Sequence, residues 1–186
     1  LESLGLIFKQ KSSGNIKLTL AGEAIIDGDS PVQILKEQVL KYQYPSAFSI
    51  SRGVQVNARF KIRPFRFLLK LLNDDRIGYL TQDEIAKVVI VNAENETDKC
   101  YEMVVNRILD FRENGDNSLD SDFLDKYKPS KGDVNPDHPY SHLQDIANTM
   151  ENWIEYTQLT KRDDERHLVI LDEKKEEIAQ ILSNNP

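Results

Sequence analysis

The sequence predicts a mainly helical protein of α+β class with short β-hairpins. Helical periodicity with identifiable start signals recurs along the chain, and the alternating, strand-like stretches are short and flank polar turns. Apolar runs such as Val88-Val89-Ile90-Val91 stay a few residues long, which excludes a membrane span. With 186 residues, 39% hydrophobic and 30% charged, the chain has material for one full domain or two small ones, and its composition is not that of a disordered segment.

Leu4-Gly5-Leu6-Ile7-Phe8 reads as a strand and Ser12-Ser13-Gly14-Asn15 as a turn. Ile16, Leu18 and Leu20 then alternate with Lys17 and Thr19 in the period of a half-buried strand. A short helix from Ala21 to Ile26 stops near Gly28. Ser30-Pro31-Val32-Gln33 is a capping box with proline at the first helical position, and its helix ends before Pro45. Pro64 opens a helix that is apolar nearly all round and therefore buried. Thr81-Gln82-Asp83-Glu84 is a second capping box, leading into Ile85, Val88 and Val89. Tyr101, Val104, Val105, Ile108 and Phe111 mark a further helix ending by Asn114-Gly115. Residues 114–140 are polar and broken by Pro129, Gly132, Pro136 and Pro139, as in a linker or long loop. Leu143, Ile146, Ala147, Met150, Trp153 and Ile154 then form one stripe of a helix starting at Ser141. A polar tip at 161–165, a strand from His167 to Leu171 and a helix carrying Ile178, Ile181 and Leu182 complete the chain.

Residues 4–26 and 156–182 share one order of strand, turn, strand and helix. A hairpin beside a cluster of helices is the pattern of a winged helix. The expected organisation is therefore tandem winged-helix or helix-turn-helix-like subdomains over 1–113 and 141–186, joined by 114–140. Winged helices bind proteins as well as nucleic acid, so a protein-interaction module without DNA binding is the alternative.

Charge is segregated. The chain carries −7 overall, yet Lys41–Asn73 holds Lys41, Arg52, Arg59, Lys61, Arg63, Arg66 and Lys70 and no acidic residue, a local +7 against −14 for the other 153 residues. Clustered Lys and Arg neutralise phosphates and release their counterions. Gln43, Gln55 and Asn57 in the same window can hydrogen-bond phosphates or base edges. A solvated basic face is the bland account of the same residues. The second constellation is the start of the helix at Ser141. There His138, Tyr140, Ser141, His142, Gln144, Asp145 and Asn148 stand where a recognition helix meets bases, or else form an ordinary polar face.

No catalytic centre is evident. Asp137 with Glu173-x-Lys175 spells the letters of a PD-(D/E)xK nuclease, but Glu173 and Lys175 fall at a helix start rather than on a buried strand. The acidic stretch 110–125 has Arg112 at the third position of a would-be calcium loop and no closing Glu. His138, His142, His167 and the single cysteine, Cys100, lack zinc spacing, and Cys100 reads as a small core residue. The composition and the lack of a signal sequence point to a cytoplasmic protein. The opening Leu1 points to a processed or truncated chain.

Several ordered motifs carry a family resemblance. Leu4-Gly5-Leu6-Ile7, the run Ile16 to Glu23, Lys36 to Ser46 with its Lys-x-Gln-Tyr-Pro-Ser core, Ile62 to Leu72, and Leu80-Thr81-x-x-Glu84-Ile85-Ala86 are similar to the AlwI-type restriction endonucleases. These include type IIS and nicking enzymes and are more distantly related to FokI. The likeness covers about residues 4–113, and beyond Ser141 it is one of pattern. It implies a bacterial restriction-modification protein whose winged-helix region recognises double-stranded DNA. It implies that Mg2+-dependent cutting belongs to a separate PD-(D/E)xK domain or a partner subunit, which this sequence lacks. No cofactor is then expected for the chain itself. The expected DNA contacts are Lys41, Gln43, Arg52, Gln55, Asn57, Arg59, Lys61, Arg63 and Arg66, with Gln144, Asp145 and Asn148 at the bases.

Overall fold

The computed structural model describes residues 1–46, 57–128 and 139–184. It is mainly helical with two small antiparallel sheets, as expected of the α+β class. An N-terminal hairpin pairs β1 (Ile7–Lys9) with β2 (Ile16–Leu18) and runs into α1 (Leu20–Ile26). Thr19 caps α1 by accepting from the Gly22 amide, and its hydroxyl donates to the Gly5 carbonyl at 2.6 Å, so one residue fixes the hairpin base to the helix. The expected half-buried strand is a correction. Ile16 and Leu18 are exposed, because a two-stranded ribbon that stands off the core has nothing to cover it.

α2 (Pro31–Lys41) starts at Ser30, whose hydroxyl accepts from the Gln33 amide. Only half of that predicted capping box forms, because the Gln33 amide group turns to Glu37 instead. α3 (Pro64–Leu72) is the hydrophobic axis of the molecule, with Phe65, Phe67, Leu68, Leu69, Leu71 and Leu72 all buried. β3 (Tyr79–Leu80) leads to a helix, α4, over 82–92, which contains a π-helical turn at Ile85–Val89. Its capping box is complete: Thr81 accepts from the Glu84 amide, and the Glu84 carboxylate accepts from the Thr81 amide at 2.8 Å. α5 (Asp98–Asn114) follows, with Cys100 buried among its neighbours as expected.

Part of the expected long loop is helical. Residues 115–118 form a 3-10 turn, and α6 (Phe123–Tyr127) buries Phe123 against Tyr127 and Tyr140. α7 (Ser141–Glu155), the hairpin β4 (Thr160–Arg162) and β5 (Leu168–Ile170), a 3-10 turn and α8 (Lys175–Ser183) complete the chain. The echo between the two ends is therefore visible as two copies of hairpin then helix.

Sequence order did not reveal one join. The second sheet has the order β3-β5-β4, with Tyr79 opposite Val169 and Leu80 opposite Leu168. The segments 1–113 and 141–186 also share one buried cluster, from Val39 through the α3 leucines to Leu168 and Ile178.

Candidate nucleic-acid interface

The basic window divides into two structural populations. Its ends are tied together, since Tyr44 and Ile62 exchange backbone hydrogen bonds of 2.7 and 3.0 Å, and the Lys61 amide donates to the Glu94 carbonyl. Asn57 to Phe60 form a turn, closed by the Phe60 amide donating to the Asn57 carbonyl, and Asn57, Arg59 and Lys61 on it and just after it are exposed. Asn57 accepts from the Arg59 amide, and the Arg59 guanidinium lies 4.9 Å from the Phe60 ring centre and 3.4 Å from Glu94. Lys41 and Gln43 are also exposed, with Lys41 3.2 Å from Glu37 one turn back. Such exposed pairs contribute little stability and leave the cation available to a stronger anion.

Arg63 and Arg66 belong to the other population. Arg63 grips Glu96 through Nε and Nη2 at 2.6 to 3.1 Å, and its own amide donates to the same carboxylate. Burial pushes the Glu96 carboxyl up, but these donors outweigh it and hold the group below the ordinary carboxylate range. Arg66 donates from Nη2 to the carbonyls of Leu182 and Asn184, which satisfies the otherwise unpaired end of α8. Both arginines thus organise the protein interior. Arg52 and Gln55 lie outside the described residues, as do Asp137 and His138.

On α7 the division is similar. Gln144 donates to Asp83 at 3.1 Å, and its carbonyl accepts from Gln82, so it pins α7 to the start of α4. Asp145 and Asn148 are exposed. Ile146, expected on the buried stripe, is 46% exposed because it borders an open cavity instead of a packed neighbour.

That cavity of about 580 Å3 brings the two constellations together, with Arg59 from the window and Asp145 from α7 both on its walls. Its floor explains the juxtaposition. Phe65 of α3 stacks on Trp153 of α7, with centroids 5.9 Å apart and planes at 20°, and Tyr42 packs edge-on to both. Periodicity marks each ring as apolar, but no local signal says that three distant segments converge on them. Sequence reasoning also passed over Lys9, Lys11 and Lys17 on the N-terminal hairpin. The available signal was the absence of any acidic residue between Glu2 and Glu23.

Among the described residues, no three His, Cys, Asp or Glu side chains converge to hold a metal ion. No helix among them is long and apolar enough to cross a membrane. Lys175 of the nuclease-like letters pairs with Asp172 at 2.8 Å on the surface.

This fold is similar to that of an endonuclease binding domain. A crystal structure of pyrene- and phenanthrene-modified DNA in complex with the BpuJ1 endonuclease binding domain matches with a TM-score of 0.65 at 20% identity. The match covers 97% of this chain and 61% of that one. The family model for the AlwI restriction endonuclease matches residues 2–186, and the chain belongs to that family. The match takes in the 141–186 region, where the motif likeness had thinned to pattern. No curated protein matches.

Proposed function

We propose that this chain is the double-stranded DNA recognition domain of a type II restriction endonuclease. The observation that carries the proposal is the meeting of the acid-free basic window, through Arg59, with α7, through Asp145, across one cleft, in a chain of the AlwI family. Arg59, Lys61 and Lys41 hold the phosphate backbone, with Gln43 and Asn57 beside them. Asn148 and Asp145 reach the base edges, an arrangement in which cations position and polar side chains on a helix specify. Asp145 as an acceptor suits the amino group of cytosine.

The element order α3, β3, α4, α7, β4, β5, with the sheet order β3-β5-β4, supports a winged-helix unit in which α7 is the recognition helix and β4-β5 the wing. On this reading α5 and α6 are insertions between the second and third helices. Cutting, with its Mg2+, belongs to a cleavage domain or partner subunit, and the enzyme is of type IIS in the cytoplasm of a bacterium.

Titration against a pool of random-sequence duplexes at two salt concentrations without Mg2+, followed by sequencing of the retained duplexes, tests the proposal. One short, asymmetric enriched site is the expected result. Salt-sensitive retention with no enrichment removes sequence specificity. Absence of retention at low salt overturns DNA binding and favours a protein-interaction module.

A further inference from the structure

The N-terminal hairpin has a surface that packing does not explain. Ribbons of two strands normally bury one face, yet here Phe8, Lys9, Ile16, Lys17 and Leu18 are all exposed, with Ile16 at 70% and Phe8 at 44%. The ribbon is nonetheless firmly based. Leu6 is buried, Thr19 ties Gly5 to α1, and Gly22 lies so close to Leu6 that a Cβ there would stand 2.1 Å from its carbonyl oxygen. Only the Ile7–Leu18 end of the ribbon rests against α1, and beyond it Phe8, Lys9, Ile16 and Lys17 project with neither face covered, a shape suited to entering a partner.

Its charge says what. Residues 3–22 contain Lys9, Lys11 and Lys17 and no acidic side chain. Cations elsewhere are mostly held, as Lys36 is by Glu177, Arg76 by Asp74, Lys87 by Asp116 and Arg112 by Glu84. The three hairpin lysines are exposed and make no ion pair with a described residue. Register then sets their directions. Ile7 pairs with Leu18, Phe8 with Lys17, and Lys9 with Ile16, so Lys9 shares a face with Ile16 and Leu18, while Lys17 and Phe8 occupy the other. Lys11 begins the turn.

We infer that the β1-β2 ribbon lies in the major groove of duplex DNA, with Lys9 and Lys17 directed at opposite phosphate walls. The inference rests on the DNA reading above and adds a second contact element to it. The geometry is compatible: strands about 4.8 Å apart with side chains on either face fit a groove about 12 Å wide, which admits a two-stranded ribbon. Ile16 and Phe8 then line the two groove walls beside Lys9 and Lys17, and Gln10 and Asn15 near the tip supply hydrogen bonds to base edges.

The test is the salt dependence of duplex affinity for the intact chain and for Lys9→Gln, Lys17→Gln, the triple variant with Lys11→Gln, and the control Lys99→Gln, an exposed lysine on α5. Each lysine on a phosphate adds about 0.9 to the slope of log affinity against log salt, so each single variant lowers it by about 0.9 and the triple by about 2.7. Between about 50 and about 200 mM salt, the advantage of the native chain over the triple variant then shrinks roughly 40-fold. Lys99→Gln leaves the slope unchanged, and all variants keep the native thermal midpoint, since the replaced ammonium groups are exposed and make no ion pair with a described residue. If only one of Lys9 and Lys17 matters, the ribbon lies flat on one strand and the groove placement is overturned. If native and triple variant bind with the same slope, the hairpin contact is overturned while the DNA reading stands. No salt-sensitive binding by the native chain overturns both.

Discussion

Replacing Arg63 separates a structural arginine from one proposed to face DNA in one experiment. Arg63 and Glu96 are about one-fifth and one-third exposed, so their bond falls between two regimes. A solvent-facing pair is worth about 0–1 kcal/mol, whereas removing one partner of a fully buried pair costs about 3–5 kcal/mol. Arg63→Ala removes three donor contacts but keeps the backbone donor at 2.8 Å, which leaves Glu96 partly satisfied. Discounted for solvent screening, the expected loss is about 2 kcal/mol, or a fall of roughly 4–8 °C in the midpoint of a chain this size. Because Glu96 is held below the ordinary carboxylate range, the stabilisation is present above its unfolded value and disappears as pH falls through its folded one. The loss caused by Arg63→Ala therefore shrinks in acid. The slope of DNA affinity against salt stays native. Arg59→Ala with Lys61→Ala should do the opposite, lowering the slope by about 1.8 while costing under about 1 kcal/mol. Urea unfolding and duplex titration of both proteins read these outcomes. An unchanged unfolding midpoint together with a lowered salt slope for Arg63→Ala would refute the reasoning.

Glu151 should respond in the opposite sense. It is buried on α7, Oε1 has no hydrogen-bond partner among the described residues, and Arg162 stands 3.9 Å away while binding Glu155 and Asn152. Burial pushes its carboxyl up, against the pull of Arg162, so its cost to stability grows as pH rises from the unfolded value through the folded one. Glu151→Gln should stabilise by about 1 kcal/mol at neutral pH and by nothing below about pH 4, read from melting across that range. Glu84→Ala removes both the partner of the Arg112 guanidinium at 2.6 Å and half of the α4 capping box, and should cost about 3 kcal/mol in denaturant unfolding. Gly22→Ala forces a Cβ onto the Leu6 carbonyl and should cost about 1–3 kcal/mol, with hydrogen exchange rising first in β1 and β2.

The elements of this protein are written locally. Thr81 with Glu84 sets the start of α4, Pro64 that of α3, and the apolar spacing from Leu143 to Ile154 marks the helix α7. These follow from neighbours three or four residues apart, so sequence alone determines them. Family membership was equally legible, since it resides in ordered motifs. The charge window was legible too, but not the roles within it. Arg59, Lys61, Arg63 and Arg66 carry the same charge at nearly even spacing, and nothing local tells them apart. Glu96 and the end of α8 do so, from 33 and more than 100 residues away, by supplying acceptors that keep two of the four guanidinium and ammonium groups inward. Likewise, Tyr79-Leu80 becomes a strand only because Leu168-Val169 lies alongside it, and Ile16 stays bare only because no helix crosses the ribbon. Local hydrogen bonding and periodicity determine which elements form. Which face of each element is covered depends on chain segments far away in sequence, so only the tertiary structure decides it.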